Sequence, residues 1–441
     1  MPHLEILKKS KKFLKQAQIK KLNFSENPNF FLCSWAECIG FVNLKILVNQ
    51  KVSIIRKFFV FFKENFSLNS HELFNHTKKL KKNKYDSLVF SYFFPENLNK
   101  DGSYFDKYFS IKTKNFKRIL WVLVPLYPYK KKFKIQENII LLEKGNNKKI
   151  IYFVSSLMKS LLIIVWGFFF RNTILFKNEK QKFASDLTNI IHDLLKNNSI
   201  NRVIYPYESQ PHQSFFNKKI KQLNPKVKII GYMHTTIPPL PLEYLKKGYE
   251  PDFLYVNGVD QKNILEKKLG WNGKKIKNIS SPRYTSKINY PMTNKIYLPY
   301  YLEDINIFFD SFKKLIFSKP KFFFPKFEIR NHPSMKYSKS HLSLISKINF
   351  FLKNEKRYFK NTSSNRNLSV FFGSSAAVLE ALERNVQVFH ICSNVLFEKF
   401  DNFYWKSIKI TNIKKNIFEY KLLRRKKIIK IRKHSEKINL F

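Results

Sequence analysis

Glycine and cysteine are both scarce in this chain, with 10 Gly and three Cys among 441 residues. So little glycine excludes a collagen-like repeat and leaves no Gly/Ser-rich linker between the halves. Self-similarity at solenoid periods is absent too. Cys33, Cys38 and Cys392 are odd in number, and the pair at 33 and 38 lacks the second pair that would complete a zinc site. Free thiols in a reducing compartment are expected. The N-terminal stretch MPHLEILKKSKKFLKQ is charged and has no apolar run ahead of a small-residue cleavage site, so no secretory signal is read and a cytoplasmic location is expected. Also missing are an Asp-x-Asp pair, a phosphate loop of the GxxxxGK type, a GxGxxG turn and an HExxH pair. Without Asp-x-Asp to place a divalent ion on a diphosphate, chemistry with neither metal nor bound cofactor is expected.

Acidic residues are few: 31 Asp and Glu face 82 Lys and Arg, for a formal charge of +51. Such a field attracts anions, whether substrates, nucleic acid or an anionic membrane surface. Only 12 of the 82 are Arg, and Lys runs alongside abundant Asn, Ile and Phe, the bias that an A+T-rich genome imposes on permissive surface positions. Part of the charge is therefore compositional. Hydrophobic residues at 44% and aromatics at 17% are those of a packed globular protein. One apolar stretch, residues 150–170, approaches the length of a membrane span but contains Lys159 and ends at Arg171. A buried or interface-dipping helix is expected there in preference to a span.

Apolar periodicity divides the chain into a first region at 1–115 of irregular pattern, an α/β domain at 116–288, a second at 289–412 and a basic helix at 413–441. In the first α/β series, RILWVLVP (118–125), RVIYP (202–206), VKIIGYM (227–233), DFLYVN (252–257) and IKNIS (276–280) read as strands, with helices at 181–196 and 261–271. Continuous apolar runs of this kind belong to parallel strands covered on both faces. A second series runs through KIYLPYYL (295–302), FPKFEIRNHP (324–333), LSVFFGSS (368–375) and VQVFHI (386–391). Ile417, Tyr420, Leu423, Ile428 and Ile431 fall near one helical face amid Lys and Arg, which predicts the terminal helix.

In open parallel sheets, ligands bind beyond the carboxyl ends of the strands, and polar residues gather after these strands. In GSSAAVLEAL (373–382), Gly373 permits a tight turn, Ser374 and Ser375 offer hydroxyl and N–H donors, and Glu380 on the following helix is placed to accept from a ribose hydroxyl. A Ser before a helix is also an ordinary N-cap; Val378 stands three residues after Ser375, so Glu380 is not a capping-box partner. Arg330 and His332, ahead of Pro333, suit a diphosphate leaving group. In YPYESQPHQ (205–213) and GYMHTTIPPLP (231–241), Glu208 and His234 are candidate bases, and Gln210 and His212 candidate acceptor contacts. Local hydrogen bonding is the competing reading for each.

With these motifs in order, the chain resembles bacterial glycosyltransferases of surface-carbohydrate (O-antigen or capsule, lipopolysaccharide) biosynthesis. SYFF (91–94), GSYFDKYFS (102–110), Pro251–Asp252 and SPRY (281–284) add to the resemblance, which covers most of 90–390. It implies a GT-B-like α/β fold, two Rossmann-like domains with parallel sheets facing a cleft. In the sialyltransferases and Kdo transferases that share the His-Pro and Ser-Ser motifs, the histidine and hydroxyls hold the phosphate of a CMP-linked sugar; by resemblance His332, Ser374 and Ser375 do so here. The acidic motif that supplies the base in many sialyltransferases is not intact, which leaves Glu208 for that role. The expected partners are a nucleotide-sugar donor and a glycan or lipid-linked acceptor, at the inner face of the plasma membrane. A polyol-phosphate transferase of the teichoic-acid type is the competing enzyme. A nucleic-acid-binding protein is disfavoured, since no recognised module is present and the aromatics fall in apolar strand runs.

Overall fold

The structure is a computed structural model that describes residues 71–75, 85–125, 133–146, 157–158, 179–197, 199–246, 248–286, 292–300, 302, 304–319, 324–332, 335, 338–360, 367–425, 427–433, 436 and 440–441. Almost all of 150–170 lies outside them, as do Pro333, Cys33 and Cys38. The chain divides into two compact units, Met1–His234 with Leu242–Tyr255, and Thr235–Pro241 with Val256–Phe441. Both are α/β, each built on a largely parallel sheet.

In the first unit the strands are β1 (His71–Asn75), β2 (Ser87–Phe93), β3 (Ile119–Pro125), β4 (Ile139–Asn146), β5 (Arg202–Pro206), β6 (Lys228–Tyr232) and β7 (Phe253–Val256). They lie side by side in the order β1-β4-β3-β2-β5-β6-β7. Every pair is parallel except β1 with β4. All seven residues of β3 are buried, as expected of a strand covered on both faces. Helices α1 (Glu179–Asn197) and α2 (Pro211–Leu223) pack against each other. β2 lies in the region whose sequence showed no clear pattern, although all but one of its residues are buried. The strand begins at buried Ser87 and its apolar run is interrupted by buried Ser91, and this polar break hides the strand signal. From β2 the chain winds outward through β3 and β4, then returns to the other side of β2 with β5, β6 and β7. The order reverses between β2 and β5.

The second unit holds α3 (Val259–Lys267), β8 (Ile276–Asn278), β9 (Lys295–Tyr297), α4 (Ile305–Phe317), β10 (Glu328–Arg330), α5 (Lys339–Asn354), β11 (Leu368–Phe372), α6 (Ala377–Glu383), β12 (Gln387–Ile391), α7 (Val395–Glu398), β13 (Ile408–Lys414) and β14 (Ile417–Leu422). The sheet order is β10-β9-β11-β12-β14-β13. The first four strands are parallel, and the strand order reverses between β9 and β11. Helices α4 and α5 share one core with the sheet, where Phe308, Phe312, Leu315, Leu344 and Ile348 meet alternate strand residues Val370, Phe372, Phe389 and Ile391.

The terminal basic helix is not formed. Residues 417–422 are β14, antiparallel to both β12 and β13. The physical reason is local: Ile417, Phe418 and Tyr420 are β-branched or aromatic and buried, and Asn416 takes the left-handed φ of 68° that a tight turn needs. The later residues Ile428 and Ile429 are fully buried, and their N–H groups donate to Glu383 Oε1 at 2.9 and 3.2 Å. Next, Ile431–Arg432 pairs with Ser281–Thr285. The apolar spacing read as a helix face is therefore a strand followed by a buried strap.

Candidate functional site

Each unit carries polar residues where its strand order reverses, the position at which open α/β sheets bind ligands. In the first unit these are the loop after β5 and residues beyond β2. The β5 loop is fixed from several sides. Gln213, 2% exposed, accepts at Oε1 from the backbone N–H of Glu208 (3.0 Å) and Gln210 (3.1 Å) and donates to the Pro206 carbonyl at 2.7 Å. Ser209 holds a left-handed φ of 57° and donates to the Glu243 carbonyl at 2.7 Å while accepting from Tyr207 Oη at 3.1 Å. A non-glycine residue held in that region is strain that the surroundings must over-determine, a common device beside reacting groups.

The loop presents Glu208 to His234, which follows β6, with Nε2 to Oε1 at 3.1 Å. Glu208 is 39% exposed at its side chain and His234 only 4%. Tyr108 sets its ring edge-on to the imidazole, centroids 4.4 Å apart. Nδ1 of His234 is buried with no hydrogen-bond partner. A buried N–H without an acceptor costs more than a buried lone pair in apolar surroundings, so the network assigns the proton to Nε2, which donates to Glu208. The histidine is then an orienting group for a carboxylate that solvent reaches. Tyr92, at the end of β2, has its phenol pKa pushed far up by burial and then by the charges of Glu208 and Tyr108. Asp106, fully buried, is pushed up to about 6 by desolvation, against the Ser91 hydroxyl and the N–H groups of Phe109 and Tyr108, and its carboxylate fixes the turn that carries Tyr108.

Gln210 is the N-cap of α2, and its backbone N–H donates to Gln213 Oε1. His212 lies in the first turn of that helix, and its side chain is outside the described residues. Sequence reasoning missed Tyr108, Gln213 and Ser209. All three lie inside the motifs at 102–110 and 205–213, but nothing in sequence spacing brings Tyr108 to His234.

In the second unit the register places Arg330 and Phe371 beside Tyr297. The segments that follow β9, β10 and β11 therefore emerge at one end of the sheet. Pro299 and Tyr300 join them: Tyr300 meets His332 edge-on at 5.3 Å, and the Pro299 carbonyl takes a hydrogen bond from His341 Nε2 at 2.9 Å. His341 is 2% exposed, and Ser338 Oγ lies 3.0 Å from its other nitrogen. Burial, and then His341, hold His332 below its ordinary pKa. Arg330 pairs with Glu328 at 2.9 Å, and Glu328 with Lys295 at 2.6 Å.

Gly373 leaves β11 with φ of 61°, and its carbonyl accepts from buried His390 Nε2 at 2.7 Å, while His390 Nδ1 meets Tyr420 Oη at 3.0 Å. Burial lowers the His390 pKa to about 4, which leaves a neutral clamp on the turn. Ser374 is exposed, and Ser375 Oγ accepts from the Ala377 N–H at 3.3 Å, while the N-cap of α6 is Ala376. Glu380 has a structural partner that the capping-box argument overlooked: Arg384, four residues on, pairs with it at 2.7 Å and also donates to the Thr285 carbonyl at 3.0 Å. Tyr297, stacked on Phe371 at 4.5 Å, ties the charges together. Its phenol is pushed up to about 12 by burial, then by Glu380, against Arg330, with Glu328 adding to the rise.

An added Cβ at Gly373 would sit 3.0 Å from Pro299 Cγ and 3.1 Å from its Cβ. Together with the left-handed φ, Gly373→Ala is expected to cost roughly 1–3 kcal/mol, read as a lower urea midpoint at unchanged slope.

Among the described residues no group of three or more His, Cys, Asp or Glu is placed to hold a metal ion, and no helix is long and apolar enough to cross a membrane. Neither a protein-family model nor a curated protein sequence matches the chain. Solved structures show remote likeness. One is an α,α-trehalose-phosphate synthase (UDP-forming) from Burkholderia vietnamiensis, 11% identical, over 65% of this chain and 77% of that one, TM-score 0.33. Another is a UDP-GlcNAc 2-epimerase from Neisseria meningitidis bound to UDP-GlcNAc, 11% identical, over 70% and 83%, TM-score 0.35. A third is the wall teichoic acid polymerase TagF, 11% identical, over 82% and 79%, TM-score 0.32. Likeness this remote says nothing of the chemistry, which rests on the residues.

Proposed function

We propose that this chain is a glycosyltransferase that moves a sugar from a nucleotide-activated donor, CMP-linked in the first instance, to a surface glycan or lipid-linked acceptor at an anionic membrane surface. The observation that carries the reading is that both strand-order reversals hold the required chemistry, a histidine-oriented carboxylate in one unit and a cationic, hydroxyl-bearing cluster in the other. Glu208 accepts the proton of the acceptor hydroxyl as its oxygen forms the bond to the anomeric carbon. The bond from that carbon to the phosphate oxygen breaks, and the departing phosphate carries its charge to Arg330, His332, Ser374 and Ser375. Glu380, tied to Arg384, is the acceptor for a ribose hydroxyl, and Gln210 and His212 are acceptor contacts. Neither a metal nor a bound cofactor enters the proposed steps.

The test is a thermal-shift screen of CMP, UDP, GDP and CDP-glycerol. A cytidine nucleotide at about 100 times its Kd should stabilise by about 2.7 kcal/mol, and His332→Ala with Ser375→Ala should remove the shift. Because an anion favours the imidazolium and His332 starts below its ordinary pKa, binding takes up a proton and tightens as pH falls below neutral. No shift with any of the four sinks the proposal; preference for CDP-glycerol over CMP replaces it with polyol-phosphate transfer.

A further inference from the structure

At the amino end of β10, away from Arg330 and His332, the second unit has a cavity of about 470 Å³ that the transfer chemistry does not use. Its walls combine Lys326, Lys353 and Lys356 with Phe327, Leu352 and Phe359. All three lysines are exposed and Phe327 is buried. Among the described residues no carboxylate lines the cavity, and Glu355, next to Lys356 in the chain, is held by Arg357 at 3.2 Å. The helices alongside carry apolar side chains in solvent: Phe350 on α5 is 68% exposed and Phe317 on α4 is 45% exposed. Phe317 is packed on Phe351 and Tyr358, at 5.7 and 5.4 Å between ring centroids, so it is held in place at the surface.

We infer that this groove binds an anionic phospholipid, the lysines taking the phosphate headgroup and the Phe327, Leu352 and Phe359 walls taking the first methylenes of its chains. A soluble phosphate would use the cations and leave the apolar floor unemployed, whereas a phospholipid matches both. Exposed Phe350 and Phe317 fit the same occupant, since aromatic rings at a basic surface sit in the headgroup region of a bilayer. The inference deepens the membrane-surface part of the proposed function and is independent of the nucleotide chemistry.

The test is co-sedimentation of the full chain with vesicles of phosphatidylcholine, alone or with about a third phosphatidylglycerol, at roughly 0.15 M salt, where the screening length is about 8 Å. The chain should bind the mixed vesicles. Lys353→Ser with Lys356→Ser should lower the partition coefficient by roughly ten- to thirty-fold, at about five-fold per lysine near the surface, and Phe350→Ser should lower it further. Lys409→Ser with Lys414→Ser, an equal charge change at exposed positions of β13, should change it less than about two-fold. All the substituted side chains are exposed, so melting temperatures should hold. Equal losses from the two lysine pairs, or displacement from vesicles by millimolar inorganic phosphate, would overturn the inference. Nucleotide-induced stabilisation should be the same in both pairs, so failure of the donor reading and failure of the lipid reading are seen separately.

Discussion

Glu208→Gln is expected to lower turnover by about 10²- to 10⁴-fold, the range that a positioned general base supplies, with the nucleotide-induced stabilisation unchanged. The amide keeps the volume of the carboxylate and can still meet His234, so fold and loop are retained; what it loses is the capacity to accept the acceptor's proton. His234→Gln should cost less, because Nε2 points at Glu208 (3.1 Å) and Nδ1 is buried, so the ring orients the carboxylate and does not reach a substrate. Glu208→Asp should fall between, with a proton acceptor present but withdrawn by one methylene. The measurement is single-turnover transfer with whichever donor the thermal-shift screen selects. If His234→Gln were the more damaging of the two, with Glu208→Gln near wild type, the roles would be exchanged.

The strand positions were largely legible because fully covered parallel strands are uninterrupted apolar runs; RVIYP is β5 residue for residue. Legibility failed where a different constraint set the pattern. β2 has no clear signal because buried Ser91 breaks its run, and β14 reads as helix because Ile417 and Tyr420 satisfy helical spacing as well as strand burial. At the site, residues close to a strand end in sequence could be found, but partners from other elements could not. Glu208 and His234 follow adjacent strands and were named for that reason, whereas Tyr108 reaches His234 across 126 residues of chain. His341 likewise acts on the Pro299 carbonyl from α5, with only the helix-starting Ser338 to mark it. Glu380 shows the opposite error: excluding one structural role, the capping box, did not exclude another, the pair with Arg384.

Gly258→Ala is expected to be the most destabilising single-methyl change in the second unit, at roughly 2–4 kcal/mol, and to lower the urea midpoint accordingly. The position has an extended φ of −161° that any residue adopts, so the cost is not conformational. An added Cβ would run into the carbonyl of Ile428 and would stand 2.7 Å from that of Lys427. Both belong to the buried strap, which is anchored on this side by Asp260 N–H to the Lys427 carbonyl at 2.9 Å and Gln261 Nε2 to the Ile428 carbonyl at 3.1 Å. On the other side Glu383, at the end of α6, receives the Ile428 and Ile429 N–H groups, so the backbone cannot retreat without breaking bonds to the helix that follows Gly373 and the serines. Gly273→Ala is the matched control. Its Cβ would meet the Glu266 carboxylate, the far end of a flexible side chain that can swing away, and its cost should stay under about 1 kcal/mol. Equal effects at the two glycines would show that the strap yields as readily as a side chain and does not brace α6.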